Sequence, residues 1–184
     1  AAILIGETCG LAVMDMASGR FNVQELDNPQ DLLNELERLK PSELLTVEGN
    51  ELPQLNCAPA FRQQPGWLFD YDSAVERLTS QLGTKDLSGF GVADMPNAIR
   101  AAGCLLNYAL ETQRGNLPHI RAISPEHHAE SVLLDGASRR NLEIDINVRG
   151  DESHTLFALM DLCSTSMGSR LLRRWLNRPL RDQF

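Results

Sequence analysis

The chain has 184 residues, enough for one full domain with a smaller body beside it. Hydrophobic residues at 42% and charged residues at 23% exclude wholesale disorder. The net charge of −8 argues against a free-standing nucleic-acid binder, which is usually basic.

Residues 1–112 hold 7 basic and 16 acidic side chains, whereas residues 113–184 hold 10 basic, all arginine, and 9 acidic. Two compositions imply two bodies. In the first, Ala2-Ile-Leu-Ile5, Gly10-Leu-Ala-Val-Met-Asp-Met16 and Arg20-Phe-Asn-Val-Gln-Glu25 read as three antiparallel strands, with a Ser18-Gly19 turn between the last two. Asn28-Pro29 opens a helix carrying Leu32, Leu33, Leu36 and Leu39 on one side, and Lys40-Pro41 ends it. Glu43-Leu-Leu-Thr-Val-Glu48 is a fourth strand. Residues 49–66, with three prolines and two glycines, read as irregular, with room for a short helix or strand. Asp72 is expected to cap a helix whose inner side is Ala74, Val75, Leu78 and Leu82, stopped by Gly83. Ser88-Gly-Phe-Gly91 is a turn. Asp94 and Pro96 open a longer helix with Ile99, Ala102, Gly103, Leu106, Ala109 and Leu110 along one face. The order β-β-β-α-β-loop-α-α is that of a mixed α/β layout.

Gly115-Asn116-Leu117-Pro118 and Pro125 place a linker at 114–129. Beyond it, Ser131-Val-Leu-Leu134 reads as a short strand, Asp135 starts a turn or short helix, and residues 147–152 are a loop tip. Leu156, Leu159, Met160 and Cys163 form one apolar stripe. Thr165 is a good N-cap for a last helix, ended by Pro179. That helix puts Gly168, Leu171, Leu172 and Trp175 on one face, with Trp175 read as core, and Arg170, Arg174 and Arg178 on another, which reads as a solvated or interdomain salt-bridging face or as a phosphate-contacting surface.

Little catalytic chemistry is spelled out. No G-x-x-x-x-G-K-[ST] phosphate loop, H-E-x-x-H or G-x-S-x-G occurs. Gly89-Phe-Gly91 begins like a dinucleotide fingerprint but meets Asp94 where the next glycine belongs. His127-His128 beside Glu126 and Glu130 could be sketched as a metal site, yet adjacent side chains diverge and no third ligand follows at helical spacing. The β-β-β-α-β order is shared by nucleases of the ribonuclease H fold, which hold two metal ions with carboxylates from the first and fourth strands. Here the first strand has no carboxylate, and Asp15 with Glu48 makes a poor two-metal site. No catalytic, cofactor-binding or metal-ligating residues are therefore assigned. Cys9, Cys57, Cys104 and Cys163 form no C-x-x-C and read as scattered thiols of a reduced, cytoplasmic protein. The apolar opening is too short for a membrane span. With no starting Met and an end in mid-phrase, the sequence is expected to be a piece of a longer chain.

Several phrases together resemble the MutS family of bacterial DNA mismatch repair proteins. They are Asp15-Met-Ala-Ser-Gly-Arg-Phe21, Phe90-Gly-Val92, Ala101-Ala-Gly-Cys-Leu-Leu-Asn-Tyr-Ala109, Leu117-Pro-His-Ile120, Ser138-Arg-Arg-Asn-Leu-Glu-Ile144, Leu156 to Asp161, and the long run from Thr165 to Asp182. The resemblance implies an α/β ribonuclease H-like connector domain at 1–113, without nuclease activity, and a linker at 114–129. At 130–184 it implies a mainly α fragment, the start of the core or lever domain. It implies a non-catalytic role, coupling mismatch binding to an ATPase that uses ATP and Mg in the full-length protein. Mismatched DNA and the homodimer partner would be met through other domains, and MutL through the connector. On this reading the MutL-facing residues are Glu76, Arg77, Ser80 and Gln81. Interdomain packing would fall to Leu106, Tyr108, Leu156, Met160, Leu171 and Trp175. The alternatives are a ribonuclease H-like nuclease and an unrelated helical interaction module.

Overall fold

The computed structural model describes residues 1–50, 55, 59–127, 131–132 and 134–181. The chain divides into two compact units, Ala1–Glu126 and His127–Phe184.

The first unit is a six-stranded mixed sheet with helices. Strands β1 (Ala2–Leu4), β2 (Cys9–Asp15) and β3 (Arg20–Leu26) form the antiparallel meander. Helix α1 (Pro29–Leu39) carries the chain to β4 (Glu43–Val47), which lies parallel to β1. Next comes β5 (Ala60–Gln64), parallel to β4. It falls inside the stretch read as irregular with room for a short helix or strand. Its Phe61-Arg-Gln-Gln64 has no apolar alternation to announce a strand, and the edge position explains why none is needed. Much of the remainder of that stretch, 51–54 and 56–58, lies outside the described residues. A short 3-10 turn (Gly66–Phe69) leads into α2 (Tyr71–Leu82), and α3 (Pro96–Gln113) follows. The two-residue strand β6 (Ser124–Pro125) runs parallel to β3, giving the order β5-β4-β1-β2-β3-β6.

Side-chain alternation along the strands sorts the core into two layers. Ala2, Leu4, Ala12, Phe21, Val23 and Leu45 face α2 and α3, while Ile3, Cys9, Leu11, Leu26 and Leu44 face Leu32 and Leu36 of α1. Two close approaches depend on glycine. A Cβ on Gly10 would stand 2.2 Å from the Asn97 backbone carbonyl at the head of α3. One on Gly103 would stand 2.3 Å from Ala74 Cβ, where α2 crosses α3.

Local signals set the helix ends, with two corrections. Asn28 caps α1 by accepting from the Asp31 N–H at 2.9 Å. For α2 the cap is Asp70, not Asp72: its carboxylate accepts the Ser73 N–H at 3.0 Å. An N-cap must precede the first helical residue, here Tyr71. At α3 the cap position is Met95, without a side-chain bond, and Pro96 supplies the helical φ instead of Asp94.

The largest departure concerns 114–129. Leu117, Ile120 and Ile123 are buried in the first unit's core, and Ser124–Pro125 adds a strand to its sheet. Residues 114–126 are therefore part of that unit, although their Gly and Pro content reads as a break. Glu126 fastens the end of the segment. It accepts hydrogen bonds from the side-chain amides of Asn22 and Gln24, and lies 3.7 Å from Arg38.

In the second unit, α4 (Gly136–Asn141), α5 (Leu156–Met160) and α6 (Ser166–Asn177) are capped by Asp135, Thr155 and Thr165. Ser131 makes only an isolated antiparallel bridge, to Leu180; Leu133 lies outside the described residues. The inward stripe of α6 is polar. Ser169 donates to Asp161 at 3.0 Å, Arg173 reaches Glu152 at 2.9 Å and lies 4.4 Å over the Phe157 ring, and Asn177 accepts from Arg139 at 2.8 Å. These three sit at i, i+4 and i+8, one helix face. Trp175 is consequently turned out and 61% exposed, against the expectation that it would be buried. Leu171 and Leu172 are half-buried, and Leu156 and Met160 are exposed.

Candidate partner surfaces

No reactive constellation gathers from the sequence candidates. Asp15, at the end of β2, is spent on its own turn: the Ser18 hydroxyl and Arg20 donate to it, and these bonds hold its carboxyl below the usual range. Glu48 is exposed just past β4. Among the described residues no three His, Cys, Asp or Glu side chains come together as metal ligands. His127 is exposed, Glu126 serves the β3 edge, and His128 and Glu130 lie outside the described residues.

The candidate partner helix α2 sits firmly on its domain. Leu78 and Ala74 are fully buried, and Val75 and Leu82 pack against the same core. Of the four expected outward residues, Glu76 and Ser80 are exposed. The other two are turned to the domain itself. Arg77 donates to the Leu68 carbonyl at 3.4 Å, and Gln81 Nε2 donates to the carbonyls of Leu117 and Ile120 at 2.8 and 3.2 Å. Helical spacing places 77 and 81 on one flank, but only the fold shows that residues 114–126 lie along it. Taken as a linker, those residues give no sign of the bond they offer to Gln81.

At the head of α2 stand two aromatics that pattern reading passed over, Trp67 and Tyr71, 67% and 41% exposed. They are the exposed large hydrophobic side chains of the first unit among its described residues. The turn carrying Trp67 is held from behind, since Arg100 Nε donates to the Phe69 carbonyl at 2.7 Å and Arg77 to that of Leu68.

The six expected packing residues separate by unit. Leu106 is fully buried in the first unit's own core. Tyr108 is half-buried, its hydroxyl donating to Glu43 at 3.2 Å. It lines a cleft of about 520 Å³ with Met14, Met16, Lys40 and Leu105. In the second unit Leu156, Met160 and Trp175 are exposed and Leu171 is half-buried. Of the arginines, Arg139, Arg173 and Arg178 brace the unit. Arg178 donates to Ser131 Oγ at 3.3 Å and the His127 carbonyl at 3.1 Å, which corrects its expected outward placement. Arg170 and Arg174 are exposed.

No described helix is long and apolar enough to cross a membrane. The two-unit division has a counterpart in the comparison with known families. Residues 1–121 match MutS domain II and residues 137–184 match MutS domain III. Neither is the family's ATPase domain. A mixed α/β sheet unit followed by a helical one agrees with both matches, and the chain belongs to the MutS family of DNA mismatch repair proteins.

Proposed function

We propose that this chain is the non-catalytic coupling part of a MutS protein. On this reading the first unit is the ribonuclease H-like connector and the second is the start of the lever. Together they pass rigid-body position between mismatch recognition and the ATPase. The meander, helix and parallel fourth strand support the ribonuclease H-like assignment, and the engaged Asp15 supports a fold without nuclease chemistry. ATP and Mg²⁺ would act elsewhere in the full-length protein, since this sequence has no phosphate loop to cradle them. Mismatched DNA and the homodimer partner would likewise be met by other domains, in the cytoplasm.

The observation that carries the reading is α2. Its inner side is locked into the core while Glu76 and Ser80 stand free on the outside, a fixed polar face suited to a transient protein partner, MutL. The test is Glu76→Lys with Ser80→Lys in the full-length protein on mismatched DNA with ATP. Arg77 and Gln81 are left alone because their loss would disturb the domain itself. MutL capture should weaken while mismatch affinity and ATP turnover stay at wild-type values. Undiminished capture would remove α2 from the interface.

A further inference from the structure

The exposed aromatics of the first unit are not scattered. Trp67 and Tyr71 are four residues apart and flank Asp70, at the head of the helix that carries Glu76 and Ser80. Phe21, Phe69 and the other large side chains of the core are buried, whereas Trp67 is 67% exposed. Trp and Tyr are the residues most enriched at the energetic centres of protein interfaces, because each brings a large rigid surface with little conformational entropy to lose.

The setting also indicates what docks there. Asp70 and Asp72, the chain neighbours of Tyr71, are exposed, and so is Glu76 further along the same helix. Of the basic residues close in sequence or bonded to this turn, Arg77 and Arg100 are half-buried and turned to the carbonyls of Leu68 and Phe69, while Arg62 stands exposed on β5. An exposed indole face among carboxylates attracts a guanidinium twice over, through the ring's quadrupole and through charge. The same carboxylates repel a phosphate backbone, which disfavours DNA. We propose that Trp67 and Tyr71 are the anchor of the MutL-facing surface, and that they receive a basic, arginine-bearing patch of the partner protein. This inference rests on the α2 reading above and moves the interface's centre from the polar flank of α2 to its head.

The test has two arms. In the first, Trp67→Ala and Tyr71→Ala are placed separately in the full-length protein, and MutL capture is measured on mismatched DNA with ATP. Each should lower capture at least tenfold, Trp67→Phe should restore most of it, and the melting temperature should hold because both side chains are exposed. In the second, the full-length protein is labelled with 5-fluorotryptophan, and the Trp67 resonance is assigned by its loss in Trp67→Phe. An arginine octapeptide should shift that resonance, a glutamate octapeptide should not, and high salt should reverse the shift. Wild-type capture of MutL that survives Trp67→Ala would overturn the anchor while leaving the α2 reading standing. Absence of MutL capture by the wild type would defeat the α2 reading, and the octapeptide arm would still decide the chemistry of the surface. No response of Trp67 to the arginine peptide, or a shift produced by duplex DNA instead, would overturn the proposal.

Discussion

Gly103→Ala sets helix propensity against packing, and the structure says packing wins. Gly103 lies inside α3, where alanine would favour the helix by about 1 kcal/mol. But its Cβ would sit 2.3 Å from Ala74 Cβ and 2.6 Å from Ala74 Cα, and Ala74 is fully buried on α2. Relieving this requires α2 to retreat by about 1 Å, to reach the 3.4 Å of ordinary van der Waals separation. Overpacking of this kind costs about 1–3 kcal/mol, and a clash with backbone places it at the upper end. The net loss is about 2 kcal/mol, or about 4–8 °C in melting temperature for a chain of this size. Thermal unfolding of Gly103→Ala, with Gly89→Ala as a control in open space, measures it. Ala74→Gly should rescue Gly103→Ala only in part, since the backbone of residue 74 would still crowd the new methyl group. A Gly103→Ala protein as stable as wild type, or more stable, would refute the close-crossing argument. Because α2 also carries the proposed partner surface, the same variant should weaken MutL capture without touching any exposed residue.

Other outcomes follow from single sites. Glu126→Ala leaves the amides of Asn22 and Gln24 without their carboxylate, at a cost of about 1–3 kcal/mol. Hydrogen exchange should then quicken across 117–126 and not in α2; uniform quickening would show that Glu126 is no local latch. Burial pushes the Cys104 thiol up to about 12 and raises that of Cys9, and the hydrogen bond with Asp161 raises that of Cys163, so exposure decides: among Cys9, Cys104 and Cys163 an alkylating agent should mark exposed Cys163 first, as peptide mapping would show. The carboxyls of Asp15, Asp70 and Asp135 lie below their ordinary range because serine partners and backbone N–H groups bond the charged form. Each contributes stability that is present above the unfolded carboxylate pKa of about 3.9 and is lost as pH falls through the lower folded value. Asp70→Asn should flatten the acid limb of the melting curve, and an unchanged limb would count against the cap.

What was legible in the sequence was what short-range chemistry dictates. Asn28, Asp135 and Thr165 announced their helices because a capping side chain acts within three residues. The β2 and β3 strands announced themselves by hydrophobic pattern. What failed depended on distant parts of the chain. Pro118 and Pro125 read as a break, yet Leu117, Ile120 and Ile123 bury on a sheet formed by strands far earlier in the chain. Trp175 read as core from its company of leucines, but Ser169, Arg173 and Asn177 make the inward stripe because Asp161, Glu152 and Arg139 come to meet them. Partner residues were half legible. Glu76 and Ser80 kept their outward place, while Gln81 was claimed by carbonyls that its own helix gives no hint of. Trp67 could have been noticed as a lone aromatic between Gly66 and the helix head, but composition alone cannot say that it is exposed.

The most direct measurement of the central claim is a hydrogen-exchange footprint of MutL on the full-length protein, loaded on mismatched DNA with ATP. The account predicts that added MutL slows exchange across 66–82, the turn bearing Trp67 and helix α2, and leaves 114–126 unchanged. Protection that falls elsewhere in the first unit and spares 66–82 would contradict it.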